Sequence, residues 1–204
     1  MSFLFQYPQV VLRLIGQHLV LTLSALSIAL LIALPLGWAL YRWPRWRTPV
    51  LGVLGVLYTI PSLALMILLL PWFGLNARSV IVALILYNQV ILVRNIWVGL
   101  NEVDPAALEA ARGMGMSPAQ VLWRVQLPLA LPAILAGVRL GAVVTVAIAT
   151  IGARFGSGGL GVLLFDGVAQ NRPDKIFLGA LLVSALALVF QVGLQQLERR
   201  LRPA

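Results

Sequence analysis

The sequence offers few side chains that could do covalent chemistry. It contains one histidine, His18, six acidic residues and no cysteine among 204 residues. Disulfide and thiol chemistry are therefore excluded, and a single histidine with scattered acids predicts no metal site. Neither H-E-x-x-H nor G-x-S-x-G, the patterns of zinc and serine hydrolases, occurs in the chain. An enzymatic function is therefore disfavoured.

A glycine-rich run from Gly152 to Gly161 reads G-A-R-F-G-S-G-G-L-G. It could be taken for a phosphate-binding loop, but that loop requires a Gly-Lys-Ser/Thr ending, and the only lysine, Lys175, lies elsewhere. We therefore expect no cofactor on this chain, and a tight re-entry or close backbone packing at the run. If ATP drives the protein, another polypeptide must hydrolyse it with its magnesium ion.

The stretch from Asp104 to Pro132 predicts two short helices joined by a glycine turn. Asp104 is a good N-cap, and a proline follows it at the first helical position. The first helix is expected to run to Arg112. Gly113 and Gly115 can then stop it, because glycine takes the left-handed conformation that helix ends need.

The second of these helices is predicted to begin at Ser117, which can form a capping box with Gln120. Leu127 and Pro128 are expected to end it, because the residue before a proline disfavours the helical conformation. An ordinary amphipathic loop and a DNA-binding helix-turn-helix are the alternatives. The membrane-like sequence on both sides argues against them.

The overall composition is that of an integral membrane protein. Hydrophobic residues make up 61% of the chain and charged residues 10%, with a mean hydropathy of +0.97, whereas soluble domains carry about 25% charged residues. Apolar runs of about 20 residues can cross the bilayer as helices. We predict an all-α membrane protein with a single transmembrane domain over residues 1–204. Its five predicted spans are at about 19–40, 49–71, 79–100, 132–153 and 176–197, and a loop at about 101–131 separates the third from the fourth.

In the first half of the chain, the segment before the first span and a proline inside the second apolar run each predict a local feature. Residues 1–17 predict a short helix lying in the interface, and His18 is expected to be an ordinary interfacial histidine. Thr59-Ile60-Pro61-Ser62 lies inside the second apolar run. The amide that proline lacks predicts a kink or break there, with the freed carbonyl lined by protein or water.

Polar groups inside the third span predict a translocation path, because polar side chains are costly in lipid and should face protein or water. Arg94 can alternatively reach the interface by its long stem, and Arg139 in the fourth span allows the same interpretation. Aromatic side chains near the path suit packing as well. The candidate path residues are Tyr58, Thr59, Pro61, Ser62, Tyr87, Asn88, Gln89 and Arg94.

Small side chains recur every fourth residue on two of the spans, and such ridges let helices approach closely. The first ridge consists of Ala25, Ala29, Ala33 and Gly37. The second ridge, which contains a G-x-x-x-G, consists of Gly137, Gly141, Thr145 and Ala149. Five helices enclose a pore poorly, so we predict that this second ridge packs against a second membrane chain of the same kind.

Arginine placement predicts the orientation, because cytoplasmic loops collect positive charge. With the Arg42–Arg47 loop inside, five spans place the loop at 101–131 and the C-terminus inside and the N-terminus outside. The inner side then holds Arg42, Arg45, Arg47, Arg112, Arg124, Arg199, Arg200 and Arg202, and the outer side Arg13, Arg78, Arg154, Arg172 and Lys175. The net charge of +9 is then explained by topology and lipid contact, without a nucleic-acid partner.

Within the helix-turn-helix, Glu109-Ala110-Ala111 is followed after three residues by Gly115, and after nine more by Val125-Gln126-Leu127-Pro128. This pattern resembles the EAA loop of permease subunits in binding-protein-dependent ABC importers, with valine in place of the more usual isoleucine. The resemblance implies the type I importer permease fold, a cell (inner) membrane location, and a coupling helix that docks in a cleft of a cytoplasmic ATPase. The coupling residues that it implies are Glu109, Ala110, Ala111, Gly113, Gly115, Val125, Leu127 and Pro128.

The T-I-P-S-L-A run and the glycine-rich run are similar to segments of osmoprotectant permeases. This similarity implies an importer of glycine betaine, choline, carnitine or proline betaine that works by alternating access. Its partners would be ATPases, a second permease and an extracytoplasmic binding protein. A permease for methionine or another amino acid shares this plan and is the alternative, with an intramembrane enzyme less favoured. The sequence leaves open the exact cargo and whether the second permease is identical.

Overall fold

The computed structural model describes residues 2–201, so Arg202 of the predicted inner tail lies outside the described residues. Within that range the chain forms helices and turns, without a β-strand. The helices are α1 (Ser2–Gln6), α2 (Pro8–Arg42), α3 (Arg47–Thr59), α4 (Ser62–Phe73), α5 (Ala77–Asn101), α6 (Pro105–Gly113), α7 (Pro118–Val121), α8 (Leu127–Gly152), α9 (Gly161–Ala169) and α10 (Pro173–Leu201). A π-helical turn at Leu122–Gln126 joins α7 to α8, and short 3₁₀ turns lie at Pro44–Trp46 and Ala153–Phe155.

Four stretches of the described chain are long and apolar enough to cross a membrane: α2, α5, α10, and the run from Pro118 to Phe155 that contains α8. A fifth crossing requires α3 and α4 together, and these two helices meet at 97°. The region predicted as a second span, 49–71, is therefore either a broken span or a re-entrant pair.

The break between α3 and α4 follows from Pro61. Ile60 is extended, with φ −64° and ψ 126°, as the residue before a proline prefers, and α4 begins at Ser62. The Ile60 carbonyl at the break accepts a hydrogen bond from the Tyr87 hydroxyl of α5. The carbonyl that the missing Pro61 amide would have engaged is that of Leu57, and it accepts from the Ile60 amide at 3.3 Å. The predicted break is therefore confirmed, with the freed carbonyl satisfied by the chain itself.

The core of the bundle is built around α5, which packs between α2 and α8. The small side chains of the first ridge, Ala25, Ala29, Ala33 and Gly37, are all buried. At Gly37 an added Cβ would lie 2.6 Å from Cγ2 of Ile96 on α5. The ridge therefore brings a second helix close, as the sequence predicts.

The N-terminal region differs from the sequence prediction. The predicted helix over residues 1–17 is divided: Ser2–Gln6 form the short helix α1, whereas residues 8–17 belong to the long helix α2. His18 is fully buried instead of interfacial. Its ring nitrogens meet backbone groups of α8 and of the glycine-rich turn, and a polar ring that is hydrogen-bonded in this way can be buried.

The second helix of the helix-turn-helix does not end at Leu127 and Pro128, contrary to the prediction. It continues through the π-helical turn into α8, where the Leu127 amide donates to the Leu122 carbonyl. Pro128 has no amide hydrogen to donate, and it lies in the first turn of α8, directly after this wider π-helical turn. Residues from Pro118 to Phe155 therefore form one continuous helical stretch of 38 residues.

Candidate functional site

The segment at residues 101–131, which we call the coupling segment, has the predicted helix-turn-helix form. The Asp104 carboxylate accepts a hydrogen bond from the Ala106 amide at 2.8 Å and begins α6. Ser117 and Gln120 form the predicted capping box: the Ser117 amide donates to the Gln120 side chain at 2.8 Å, and the Gln120 amide donates to the Ser117 hydroxyl at 3.4 Å. Local capping therefore fixes the start of both short helices.

The turn between α6 and α7 depends on Gly115. Its φ is +82°, and an added Cβ would meet nothing within 4 Å. The requirement for glycine is therefore conformational and does not come from a close neighbour. Gly113, by contrast, remains helical at the end of α6 and has no positive φ. The stop signal that the sequence assigned to two glycines belongs to Gly115.

Most of the predicted coupling residues are accessible. Glu109, Ala110, Gly113, Gly115 and Pro128 are exposed, while Val125 and Leu127 are half-buried. Ala111 is the exception, since it is only 2% exposed and belongs to the same apolar core as Leu108 and Val121. Its small side chain lets α6 pack on the bundle. Contrary to the prediction, Ala111 therefore does not contribute to the outer surface.

Two exposed apolar residues of the coupling segment were missed by the sequence reasoning. Met114 is 74% exposed at the turn between the two glycines, and Trp123 is 69% exposed on the π-helical turn. Large exposed apolar side chains indicate a contact surface for a protein or a membrane. The sequence does contain a signal for Met114, since a large apolar residue stands between two glycines of a predicted turn. The exposure of Trp123 depends on the π-helical turn, which the sequence pattern does not predict.

The candidate path residues of the second apolar region lie at the break between α3 and α4. Tyr58, Thr59 and Pro61 are exposed, and Ser62 is half-buried. The Tyr58 ring packs edge-on against Tyr87 with 5.6 Å between centroids. Tyr87 itself is buried and holds the break through its hydroxyl, so of the two rings only Tyr58 presents an accessible face.

The polar residues of α5 are used for packing inside the chain. The Asn88 amide group donates to the Thr145 hydroxyl at 2.7 Å and to the Leu84 carbonyl at 2.8 Å. Gln89 donates to the Ala29 carbonyl of α2 at 3.2 Å. Both side chains are buried, so they join α5 to its neighbours and do not line an accessible path. Arg94 is exposed.

The second ridge of small residues also faces the interior of the chain. All four members, Gly137, Gly141, Thr145 and Ala149, are buried. An added Cβ at Gly137 would lie 2.5 Å from Cβ of Asn95, and one at Gly141 would lie 2.5 Å from Oδ1 of Asn88. The ridge therefore packs α8 against α5, and a second permease chain would have to contact another surface.

Three of the six acidic side chains have structural partners, and these three are spread over the molecule. Glu198 of α10 forms an ion pair with Arg139 of α8, with 3.2 Å between nitrogen and oxygen, so Arg139 does not simply extend to the interface. Asp174 pairs with Arg172 at 2.7 Å, and Asp104 caps α6. Across residues 2–201, no three histidine, cysteine or acidic residues are grouped so that they could hold a metal ion.

The described residues thus form a bundle of membrane-length helices that carries a capped, exposed helix-turn-helix. The pattern of the family of binding-protein-dependent transport system inner membrane components matches residues 10–203. The chain belongs to this family, and it is an inner-membrane transport subunit.

Curated relatives cover nearly the whole chain. The carnitine transport permease OpuCB of Listeria monocytogenes is 41% identical over 187 residues, which is 92% of this chain and 86% of the relative. The osmoprotectant import permease OsmW of Salmonella typhimurium is 38% identical over 92% of this chain and 89% of its own length. The choline transport system permease OpuBB of Bacillus subtilis is 36% identical over 92% and 87%.

Solved structures agree on the fold. An inward-facing form of the MetNI methionine ABC transporter matches with a TM-score of 0.85 and 21% identity, covering 95% of this chain and 96% of that one. An amino acid ABC transporter matches with a TM-score of 0.73 and 22% identity, covering 96% of both chains. At such identities the likeness establishes the type I importer permease fold and carries no information on cargo.

Proposed function

We propose that this chain is the transmembrane permease subunit of an ATP-driven importer for quaternary-amine osmoprotectants: glycine betaine, choline, carnitine and proline betaine. The observation that carries this proposal is the identity of 36–41% to relatives named for carnitine and choline transport. The methionine alternative has in its favour a likeness of fold at 21% identity. Sequence identity at the higher level favours the quaternary amines.

The coupling segment is the surface that an ATPase would grip. Its exposed members include a carboxylate at Glu109, a small side chain at Ala110, and the large apolar side chain of Met114. A small residue lets a short helix enter a cleft, and exposed apolar side chains gain from burial in one. In this proposal, ATP and magnesium bind to the partner ATPase and no cofactor binds to this chain.

The break between α3 and α4 is the part of the chain that we assign to the translocation path. Tyr58 offers an accessible ring beside the exposed residues Thr59 and Pro61. A quaternary ammonium group cannot donate hydrogen bonds, and an aromatic face attracts it through cation–π interaction. The packing of Asn88 and Gln89 inside the chain removes them from this proposal.

The working unit in this proposal is two permease chains, two ATPases and an extracytoplasmic binding protein, with the N-terminus of this chain outside and its C-terminus in the cytoplasm. ATP binding closes the ATPases, the coupling segments move with them, and the path opens to the docked binding protein. Hydrolysis resets the path. The second permease is a copy or a paralogue of this chain.

The test of cargo is uptake in a strain that lacks its other betaine systems. Deleting this gene should abolish uptake of radiolabelled choline, carnitine or glycine betaine, and a plasmid copy should restore it. Methionine uptake in the same cells is the internal control and should not change. Loss of methionine uptake with unchanged uptake of every quaternary amine would transfer the protein to the alternative.

A further inference from the structure

A pocket of about 550 Å³ lies between the C-terminal end of α2 and the coupling segment. Two arginines line it, Arg42 in the last turn of α2 and Arg112 in the last turn of α6. Three aromatic side chains, Trp38, Tyr41 and Trp123, form other parts of the wall. The pocket therefore combines positive charge with amphipathic rings.

Within residues 2–201, no acidic side chain neutralises the charge of this pocket. The other lining residues are uncharged, and none of the six acidic residues of the chain lines it. The ion pairs seen within residues 2–201, Arg139–Glu198 and Arg172–Asp174, involve neither arginine. Two positive charges that share a cavity without a carboxylate favour an anionic occupant.

The backbone around Arg112 is held in place by the glycine turn. The Gly115 amide donates to the Arg112 carbonyl at 2.9 Å, and the Met116 amide donates to the Ala111 carbonyl at 3.2 Å. The positive φ of Gly115 makes this return of the chain possible. The position of Arg112 beside α2 therefore follows from the same turn that shapes the coupling segment.

The location of the pocket matches the polar edge of a bilayer. Arg42 is the last residue of α2, after its long apolar run. Trp38 and Trp123 are exposed at the pocket, and tryptophan and tyrosine concentrate at the level of lipid headgroups. A phosphate carried by a lipid can therefore reach these arginines without leaving the membrane surface.

We propose that this pocket binds the phosphate headgroup of an anionic phospholipid. Arg42 and Arg112 would hold the phosphate, for which the planar guanidinium is well suited, and the aromatic rings would line the glycerol backbone and the first part of an acyl chain. Since Arg42 belongs to a membrane helix and Arg112 to the coupling segment, the bound lipid would link the two.

The test is lipid retention by the purified full-length chain, measured by native mass spectrometry in detergent after titration with phosphatidylglycerol or phosphatidylcholine. The wild-type chain should retain phosphatidylglycerol in preference to phosphatidylcholine. The double variant Arg42→Gln/Arg112→Gln should lose affinity for phosphatidylglycerol by about fivefold for each arginine removed. The matched control Arg199→Gln/Arg200→Gln removes the same charge from the exposed end of α10 and should retain the lipid.

Further arms separate a lipid site from other occupants. Trp38→Leu leaves both arginines in place and should weaken lipid retention without changing the melting temperature, which keeps the proposal testable if the double variant unfolds. Equal loss of lipid in both double variants would overturn the proposal, because the effect would then be one of net charge. Displacement of phosphatidylglycerol by millimolar inorganic phosphate would also overturn the proposal, since the pocket would then be a site for a free anion. Displacement by the partner ATPase would overturn it as well, since the pocket would then be part of the ATPase contact.

Discussion

His18 on α2 accepts a hydrogen bond at Nδ1 from the backbone amide of Leu160, 142 residues further along the chain, at 3.2 Å. Its Nε2 lies 3.2 Å from the Val146 carbonyl of α8. Because the Leu160 amide can only donate, the proton of the neutral ring lies on Nε2, which donates to Val146. One buried ring therefore joins α2, α8 and the glycine-rich turn, and the neighbouring Gln17 side chain accepts from the Gly159 amide at 3.1 Å.

Replacing His18 by leucine should destabilise the protein. The Leu160 amide and the Val146 carbonyl would both lose their side-chain partner in a buried site, and such a loss costs about 1–3 kcal/mol for each group. We expect a lower melting temperature of the detergent-solubilised chain. Arg13→Gln, on an exposed position of the same helix, is the control, and equal melting temperatures for the two variants would contradict this role of His18.

The proposed topology predicts which sites an impermeant thiol reagent reaches in intact cells. The chain contains no cysteine, so single cysteines can be introduced without a background signal. Thr48→Cys and Ser117→Cys should be protected until the membrane is opened, because both positions are assigned to the cytoplasm. Ala169→Cys, at the end of α9, should be labelled from outside, and labelling of Ser117→Cys in intact cells would reverse the orientation.

The glycine turn of the coupling segment offers a matched pair of substitutions. Gly113→Ala and Gly115→Ala add the same methyl group at exposed positions with open space around them, but only Gly115 has a positive φ. Gly115→Ala should therefore strain the turn by about 1 kcal/mol and reduce cargo uptake, whereas Gly113→Ala should transport normally.

Gly115→Asp adds a charge at the same position and tests the contact with the ATPase. Since the residue is exposed and outside the long apolar helices, membrane abundance should stay normal. Co-purification of the ATPase should weaken and cargo uptake should be lost. Normal transport with the ATPase bound would show that this turn is not the coupling element.

The proposed path predicts that the Tyr58 ring, and not its hydroxyl, contacts cargo. Tyr58→Phe keeps the aromatic face and should leave the KM for choline uptake unchanged. Tyr58→Leu should raise KM by about two- to fivefold, which corresponds to the loss of one exposed cation–π contact. Trp72→Leu, which removes another exposed ring on α4, is the control, and an equal effect of both leucine variants would point to lipid packing.

The Arg139–Glu198 ion pair predicts a pattern of damage and rescue. Arg139→Glu places two carboxylates side by side in a largely buried position. The expected loss of stability is roughly 1–3 kcal/mol, a range that already allows for the partial exposure of the arginine. Adding Glu198→Arg should recover most of the lost melting temperature. If the double variant is no more stable than the sum of its single variants, the two residues do not interact.

The features that the sequence predicted correctly depend on local chemistry. The caps at Asp104 and Ser117, the turn at Gly115 and the break at Pro61 are set by residues within a few positions of each other. The first ridge of small residues also behaves as predicted, since spacing alone identifies a surface of close approach.

The features that were missed depend on partners distant in the chain. A ridge of small residues does not say which helix it meets, so the pattern at Gly141 was assigned to a second chain although Asn88 fills the space. The expectation of an interfacial His18 is wrong, and the ion pair of Arg139 is not predicted, because their partners at Leu160 and Glu198 are brought near by the fold alone. Pro128 was expected to end a helix, and the π-helical turn before it allows the helix to continue.

The ion pair between α8 and α10 also has a consequence for the order in which the protein is made. The ribosome synthesises Arg139 well before Glu198, so α8 enters the membrane with an arginine whose counter-charge does not yet exist. An arginine near the inner end of a span can reach the membrane surface by its long stem in that state, and the ion pair forms only when α10 arrives with the carboxylate of Glu198. The contact between α8 and α10 is therefore completed only after the rest of the bundle has been synthesised.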